Sequence, residues 1–204
     1  MKSMKNLLLS VTLVFAALSI NNANANVMLS FAPSSQVTTT GDSVSMDLMI
    51  SGLMAGSADS LGTFDLDIFF DDSRLSLTSY SLTDMLGDLA TEAIDDSFGE
   101  FVPGLIGISI LSLLEVDELD VLQGSAFSLA TFNFDVDQLE EGETTTVSVE
   151  TVYALGDAFG NALLIDSIGD GVLRNPAVSA STPATFGLLI LGLMIAIKRR
   201  YHIN

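Results

Sequence analysis

The sequence predicts an all-β protein, a β-sandwich of about nine strands with one short helical insertion near residues 84–94. Three observations predict this class. Between positions 27 and 174, apolar residues recur mainly with a period of two, which is the spacing of a half-buried strand. Clusters of Gly, Asp and Ser divide these segments into short lengths. This region of about 150 residues contains no internal repeat and no low-complexity linker, so we expect one domain with a substantial core.

Alternating segments mark the strands in chain order. Residues 44–50 alternate apolar and polar side chains and end at a serine followed by a glycine. In residues 64–69 the apolar side chains fall on one face and the acidic ones on the other. Phe69 and Phe70 interrupt this alternation, so one of the two rings is expected to face outward or to cover an edge of the sheet. Further strands are predicted at 75–80, 105–114, 127–136 and 144–152.

The predicted helical insertion lies between two strands of the sandwich. Thr83 is a suitable N-cap and Asp84 stands in the first turn, where a negative charge is favourable. The apolar residues that fall near helical spacing are Met85, Leu86, Leu89, Ala93 and Ile94. A second segment, residues 115–122, is predicted to form either another helical turn or a loop.

Residues 1–25 have the pattern of a secretory signal peptide. Lys2 and Lys5 supply the positive start, and residues 7–20 form an apolar run of the length that such signals use. Ala23 and Ala25 then provide the small side chains that signal peptidase accepts before its cleavage site. The alternative, an ordinary buried helix, leaves the lysines and the alanine pair unexplained. The sequence therefore predicts that the domain at residues 26–175 is exported.

The C-terminal segment, residues 176–204, also contains an apolar run, but its basic residues follow the run instead of preceding it. It comprises a small polar hinge at 176–185, an apolar run at 186–197 and the basic cluster Lys198, Arg199 and Arg200. Twelve helical residues rise roughly 18 Å, against about 30 Å for the hydrocarbon core of a membrane. Counted from Ser179 the uncharged stretch has 19 residues, which can span when tilted. The segment is either a permanent anchor or a tail that is recognised and cut after export, with its basic end cytoplasmic.

This tail resembles the PEP-CTERM sorting tail of Gram-negative bacteria. Pro183 and the small and apolar residues after it match the entry of that signal, and Lys198, Arg199 and Arg200 match its basic end. Ser181 and Thr182 stand where the first proline and the glutamate would be, so the tail is a variant of the motif. The resemblance implies sorting to the outer surface or matrix by an exosortase-type transpeptidase, with transient insertion in the inner membrane. It also implies an association with exopolysaccharide or biofilm.

The domain itself resembles the cohesin-like domains, which are nine-stranded jelly-roll sandwiches of exported bacterial proteins. The segments that carry the resemblance are 41–53, 61–75, 123–134, 141–149 and 168–173. Phe70, Asp71 and Asp72 replace the Tyr-Asp-Pro-like turn of the family, keeping the aromatic residue and the acid but losing the proline. The resemblance spans nearly the whole domain. It implies the jelly-roll fold and, in some members, docking of a partner's paired helices.

Composition excludes several classes of function. All 26 acidic residues lie between Asp42 and Asp170, with only Arg74 and Arg174 among the basic residues in the domain, which leaves a net charge of −24 there. Such a surface repels phosphate backbones, so no nucleic-acid partner is expected. The chain has no cysteine, and its single histidine, His202, follows the last apolar run. Glycoside hydrolysis needs paired acids in a cleft that usually presents stacking aromatics, and the chain has no tryptophan. We therefore expect a protein that is not an enzyme.

Calcium is the cofactor that the acidic composition suggests first. Asp65, Asp67, Asp71 and Asp72 could approach one another where a strand enters its turn, and calcium prefers such oxygen ligands. None of the acidic segments follows the ligand order of an EF-hand loop. The alternative is that these carboxylates are solvated strand faces and turns. The sequence predicts weak, diffuse binding of calcium or magnesium that screens self-repulsion rather than one tight site.

The predicted function follows from these parts. We expect a non-enzymatic cell-surface or matrix protein with a binding or structural role, exported with the help of signal peptidase and sorted by its tail. The alternative is a carbohydrate- or protein-binding module of an envelope complex, held by a permanent C-terminal anchor in the membrane. Phe98 and Phe101, which flank Gly99 and Glu100 in a predicted loop, are the candidates for an exposed contact surface.

Overall fold

The computed structural model describes residues 26–54 and 60–177. The predicted signal peptide with Ala23 and Ala25, and the predicted tail with Pro183 and its basic cluster, lie outside these ranges. Within the two ranges, no helix is both long enough and apolar enough to cross a membrane.

Twelve strands and one helix make up the described part of the chain. The strands are β1 (Asn26–Ala32), β2 (Ser35–Val37), β3 (Ser43–Ser51), β4 (Leu61–Phe70), β5 (Leu75–Leu82), β6 (Ala93–Asp95), β7 (Gly99–Val102), β8 (Leu105–Ser112), β9 (Ala126–Val136), β10 (Thr144–Asp157), β11 (Leu164–Gly169) and β12 (Gly171–Arg174). The helix is α1 (Val116–Leu122). The all-β class is confirmed, and each segment predicted as a strand by its alternation corresponds to one of these strands, although β8 ends at Ser112, two residues before the end of the predicted segment 105–114.

The strands form two sheets. One has five strands in the order β11-β1-β3-β9-β5, and the other has seven, in the order β2-β12-β10-β4-β8-β6 with β7 also paired to β8. The strand number exceeds the expected nine partly because the chain changes sheets near both ends of the domain. It passes from β1 to β2 and from β11 to β12. In the five-stranded sheet β1 therefore pairs with β11, in the seven-stranded sheet β2 pairs with β12, and both pairs are parallel.

The core lies between the two sheets and is built from the inward side of each alternating strand. In β3, every second residue is buried, namely Val44, Met46, Leu48 and Ile50. The ring of Phe70 in the seven-stranded sheet lies 5.1 Å from the ring of Phe134 in the five-stranded sheet. Gly171 stands where the chain changes sheets, and a Cβ atom there would lie 2.7 Å from the Met46 sulfur. The two sheets are therefore in direct contact through buried apolar side chains.

The predicted helix at residues 84–94 is wrong. Turns occupy residues 84–92 and strand β6 follows. Gly87 adopts a positive φ of 107°, which ends any helical run, and the Asp88 side chain accepts a hydrogen bond from the Ala90 backbone N–H. Thr83 does accept a hydrogen bond from the Met85 N–H, but as part of a turn. Local side-chain hydrogen bonds therefore outweigh the weak helical periodicity.

The second uncertain segment, residues 115–122, is helical. Its first turn is closed by the Glu118 carboxylate, which accepts a hydrogen bond from the Glu115 N–H at 2.9 Å. After the helix, the buried side chain of Gln123 donates to the carbonyl oxygens of Leu61 and Met85 and accepts from the Leu61 N–H. This one amide ties the end of α1 to the start of β4 and to the turns at 84–92.

Candidate functional site

A groove of about 390 Å³ opens on the outward face of the seven-stranded sheet. Strand β4 runs beneath it, with β8 on one side and β10 on the other. The lining residues are Asp65, Asp67, Phe98, Phe101, Gly107, Ile108, Ser109 and Tyr153. We call the outward face of the seven-stranded sheet, which carries this groove, the groove face. The lining residues come from four separate segments of the chain, so only the folded sheet assembles them.

Alternation along β4 aims two carboxylates into the groove. Phe64, Leu66 and Ile68 are fully buried in the core, so Asp65 and Asp67 between them point outward. Antiparallel pairing sets Asp67 opposite Gly107, and it sets Asp65 opposite Ser109 on β8. The outward direction predicted for the acidic residues of this strand is thus confirmed.

Aromatic rings form the walls. Phe98 is 80% exposed and Phe101 48%, and their ring centroids lie 6.4 Å apart in an edge-to-face arrangement. Tyr153 rises from β10 on the opposite side and is 65% exposed. The exposure predicted for Phe98 and Phe101 is confirmed, although Phe101 lies on strand β7 rather than in a loop. Such a concentration of exposed rings on one face is typical of contact surfaces.

The carboxylate of Asp67 is held in place by the tyrosine. The Tyr153 hydroxyl donates a hydrogen bond to Asp67 Oδ2 at 3.0 Å, while Asp67 itself is only 8% exposed. This hydrogen bond and the negative charge of Asp67 raise the pKa of Tyr153. Burial raises the pKa of Asp65, with the charges of Asp67 and Asp96 adding to the effect. The groove therefore concentrates negative charge beside apolar rings.

Gly107 forms part of the floor of the groove. A Cβ atom at this position would lie 3.3 Å from Phe101 Cε1 and 3.5 Å from Asp67 Oδ1. Gly107 is not among the glycines with positive φ in the described chain, so its backbone is one that other residues could adopt. A glycine inside a strand weakens it, because it offers no side chain for packing. What the glycine supplies here is space between the ring and the carboxylate.

The other two predicted calcium ligands lie elsewhere. Asp71 follows the end of β4, roughly 20 Å along the strand from Asp65 at 3.3 Å per residue. Asp71 Oδ1 accepts hydrogen bonds from the Ser73 hydroxyl and N–H, and Oδ2 lies 3.2 Å from Arg74 Nε. These interactions lower the pKa of Asp71, and the hydrogen bond from the Ser73 hydroxyl contributes most. Asp72 is exposed in the same turn. The structure thus pairs Asp65 with Asp67 and separates both from the turn.

Metal ligands are sparse in the described ranges. Residues 26–54 and 60–177 contain no group of three or more His, Asp or Glu side chains arranged to hold a metal ion. Calcium binding at Asp65 and Asp67 stays a prediction, with two carboxylates in place of four. Calcium usually takes six to eight oxygen ligands, so any such site would leave most of its coordination to water.

Sequence reasoning missed Tyr153 and Gly107. Tyr153 stands where β10 shifts its register against β4, between Val152 and Ala154, so simple alternation does not give its direction. Gly107 did carry a signal, because a glycine inside an alternating segment often marks a close approach or a ligand. That signal becomes specific only when the register places it opposite Asp67.

The described domain is similar in fold to solved cohesins. CaCohA2 from Clostridium acetobutylicum matches with a TM-score of 0.58 and 19% identity, over 76% of this chain and 94% of that one. The sixth cohesin of scaffoldin B from Acetivibrio cellulolyticus, in complex with a Cel5 dockerin mutant, matches with a TM-score of 0.55 and 16% identity. A type I complex from Clostridium thermocellum, Coh-OlpA with Doc918, matches at 0.57 and 10%. The last two matches each cover 74% of this chain and 99% of the solved one.

The fold predicted by the cohesin resemblance is therefore confirmed: the described domain is a cohesin-like β-sandwich. At these identities the likeness extends to the fold alone. No family model matches the sequence, and no curated protein matches it.

Proposed function

We propose that this protein is an exported, non-enzymatic binding module that docks a protein partner on its groove face. The observation that carries the proposal is the aromatic-walled groove, which exposes Phe98, Phe101 and Tyr153 around two outward carboxylates. Two of the solved cohesins with this fold were captured with dockerins bound, which supports a protein as the partner.

The groove face has the composition of a docking surface beyond the groove itself. Phe69 on β4 and Leu111 on β8 point outward and are each nearly half exposed. Ile94 on β6 stands opposite Leu111 and is also exposed. Large apolar and aromatic side chains at the centre of an interface supply most of the binding free energy, while a charged rim supplies specificity. This face offers the apolar and aromatic side chains, and its charges lie within the groove at Asp65 and Asp67.

The two ends of the chain complete the proposal. Signal peptidase removes residues 1–25, and the tail with Pro183, Lys198, Arg199 and Arg200 delivers the domain to the cell surface or matrix of a Gram-negative envelope. The sequence patterns of both ends support this step. An exosortase-type transpeptidase would cut the tail, whereas a permanent anchor would keep it in the membrane. The intact mass of the protein recovered from cells distinguishes a chain that lost both ends from one that kept its tail.

Binding is tested with the full chain as bait for envelope and extracellular proteins. The double variant Phe98→Ser/Phe101→Ser removes the ring pair, and Val37→Ser is the matched control, because Val37 is exposed on β2 at the far edge of the same sheet. We expect the double variant to lose at least tenfold in affinity for a captured protein, while the control binds like the parent. Equal binding by all three proteins would contradict docking at the groove face.

A carbohydrate partner is the second candidate, because exposed rings also stack on sugars. A glycan array probed with the full chain and the double variant separates the two. Saturable glycan binding that disappears in the double variant, with no protein partner, would replace the proposed protein docking by carbohydrate binding.

A further inference from the structure

We propose that the groove is an arginine pocket: it takes one arginine side chain of the protein partner, with the guanidinium group between the carboxylates of Asp65 and Asp67. The inference rests on the proposed docking at the groove face and names the chemistry that this face selects. Four observations support it: the carboxylates of the groove, its aromatic walls, the glycine in its floor and the small number of possible metal ligands in the described ranges.

The charges of the groove lack a counter-charge within the described domain. Its two cations are engaged elsewhere: Arg74 with Asp71 and Glu143, and Arg174 with the Ser35 hydroxyl. No described residue donates a hydrogen bond to the Asp65 carboxylate, while Tyr153 occupies only Oδ2 of Asp67. Asp65 and the second carboxylate oxygen of Asp67, which both line the groove, therefore have no cation partner within the described domain.

The spacing of the acids suits a planar, forked cation. Asp65 and Asp67 are two residues apart on one strand, so their Cα atoms lie about 7 Å apart and their side chains leave the sheet side by side. A guanidinium carries five N–H donors in a fixed plane and can bond two carboxylates at once, whereas an ammonium is a compact point charge. Partial desolvation by the surrounding rings strengthens such bonds.

The walls favour the same group. Phe98, Phe101 and Tyr153 present ring faces or edges around the acids, and guanidinium planes stack favourably on aromatic rings. A bare metal ion gains nothing from these apolar walls, and in the described ranges no third carboxylate or histidine is placed to share a metal ion with the pair. The observations therefore favour an organic cation over calcium in this groove.

The proposed pocket accounts for the glycine at position 107 in its floor. A methyl group there would meet the Phe101 ring at 3.3 Å and narrow the approach to Asp67 Oδ1. The backbone does not require glycine, and the strand would gain from a larger residue. The glycine leaves room for the Phe101 ring, and we infer that it also keeps the approach to Asp67 Oδ1 open for the end of the arginine, which makes Gly107 a residue that determines specificity.

The test is a titration of the ¹⁵N-labelled full chain in detergent micelles, followed by the amide signals of Asp67 and Gly107. The probes are N-acetyl-L-argininamide and N-acetyl-L-citrullinamide, the neutral compound of the same shape, at matched ionic strength. We expect saturable shifts confined to the groove with the arginine probe, and at least tenfold weaker binding of the citrulline probe. Equal binding of the two probes, or no saturable shift in the groove, would overturn the proposal.

Two variants locate the effect. Asp65→Asn keeps the shape and removes one charge, and Gly107→Ala narrows the floor, so each should weaken the arginine probe at least fivefold. Asp47→Asn is the matched control, since Asp47 is a strand carboxylate on the outward face of the other sheet. Unchanged arginine binding in both groove variants, or equal loss in the control, would overturn the pocket. A protein partner that still needs Phe98 and Phe101 would then leave the docking function standing.

Discussion

The two outward faces of the sandwich come from strands with the same alternation of apolar and polar residues, yet their carboxylates differ in hydrogen bonding. On the five-stranded sheet, short side chains bond one another across strands: the Thr131 hydroxyl donates to Asp47 at 2.6 Å, and the Ser43 hydroxyl donates to Asp135 at 2.6 Å. On the groove face, the carboxylate of Asp65 accepts no hydrogen bond from the described residues and stands among exposed rings. Asp47 and Asp135 are thus hydrogen-bonded within the molecule, whereas the Asp65 carboxylate is left to contact another molecule.

This difference shows that the alternation of apolar and polar residues determines the core, while the identity of the outward residues determines what each face can bind. Inward positions on both sheets must be apolar, so they resemble each other. Outward positions are free to vary. Substitutions at inward and outward residues, and on the two outward faces, should therefore differ in their effects.

The largest effect is expected where two neighbouring phenylalanines face opposite ways. Phe70 is 1% exposed and packs against Phe134, whereas Phe69 is 43% exposed on the groove face. Phe70→Ala should lower the free energy of unfolding by about 3–5 kcal/mol, and Phe69→Ala by less than about 1 kcal/mol. Urea unfolding of both variants measures this. Equal losses would mean that the outward ring also holds the fold, and the two faces of β4 would not differ as described.

A smaller loss is expected on the five-stranded sheet. Thr131→Val removes the hydrogen bond to Asp47 and should cost about 1 kcal/mol of unfolding free energy, because the half-buried carboxylate loses a donor. The variant should bind a captured partner as tightly as the parent chain, since this face is not the docking surface. The same urea series and a binding titration check both points. A change in binding would assign this face a role in docking.

Removal of the Asp65 charge in the groove should stabilise the fold, whereas the substitutions above destabilise it. Because burial and the nearby Asp67 raise the pKa of Asp65, the folded chain binds that proton more tightly than the unfolded chain does, and ionisation of Asp65 destabilises the fold at neutral pH. Asp65→Asn should therefore raise the urea midpoint at pH 7. The advantage should shrink as the pH falls through the raised pKa and disappear below the ordinary value of 3.8. A variant that is less stable at pH 7 would contradict this account.

Sequence reasoning reached the sandwich because strand alternation is local, and it reached the outward acids of β4 for the same reason. It failed at residues 84–92, where hydrogen bonds from Asp88 and a positive φ at Gly87 decide the path. It could not assemble the groove, since the opposition of Gly107 to Asp67 depends on register and the position of Tyr153 depends on an irregular pairing of β10. It also grouped Asp71 with Asp67, although an extended strand keeps them apart.

The smallest effect concerns calcium. If calcium binds weakly to Asp65 and Asp67, millimolar calcium should raise the thermal midpoint by a few degrees over EDTA at matched ionic strength, and Asp65→Asn should reduce the difference. Identical midpoints for the parent chain with calcium and with EDTA would remove the calcium prediction. The arginine pocket does not depend on this result.

The most direct test of the account compares the two faces in living cells. A photo-crosslinking phenylalanine analogue is placed at Phe98 on the groove face or at Ser45, an exposed residue of β3 on the five-stranded face. After irradiation we predict a discrete protein adduct from position 98 and none from position 45. Adducts of equal yield from both positions, or an adduct from position 45 alone, would contradict docking at the groove face.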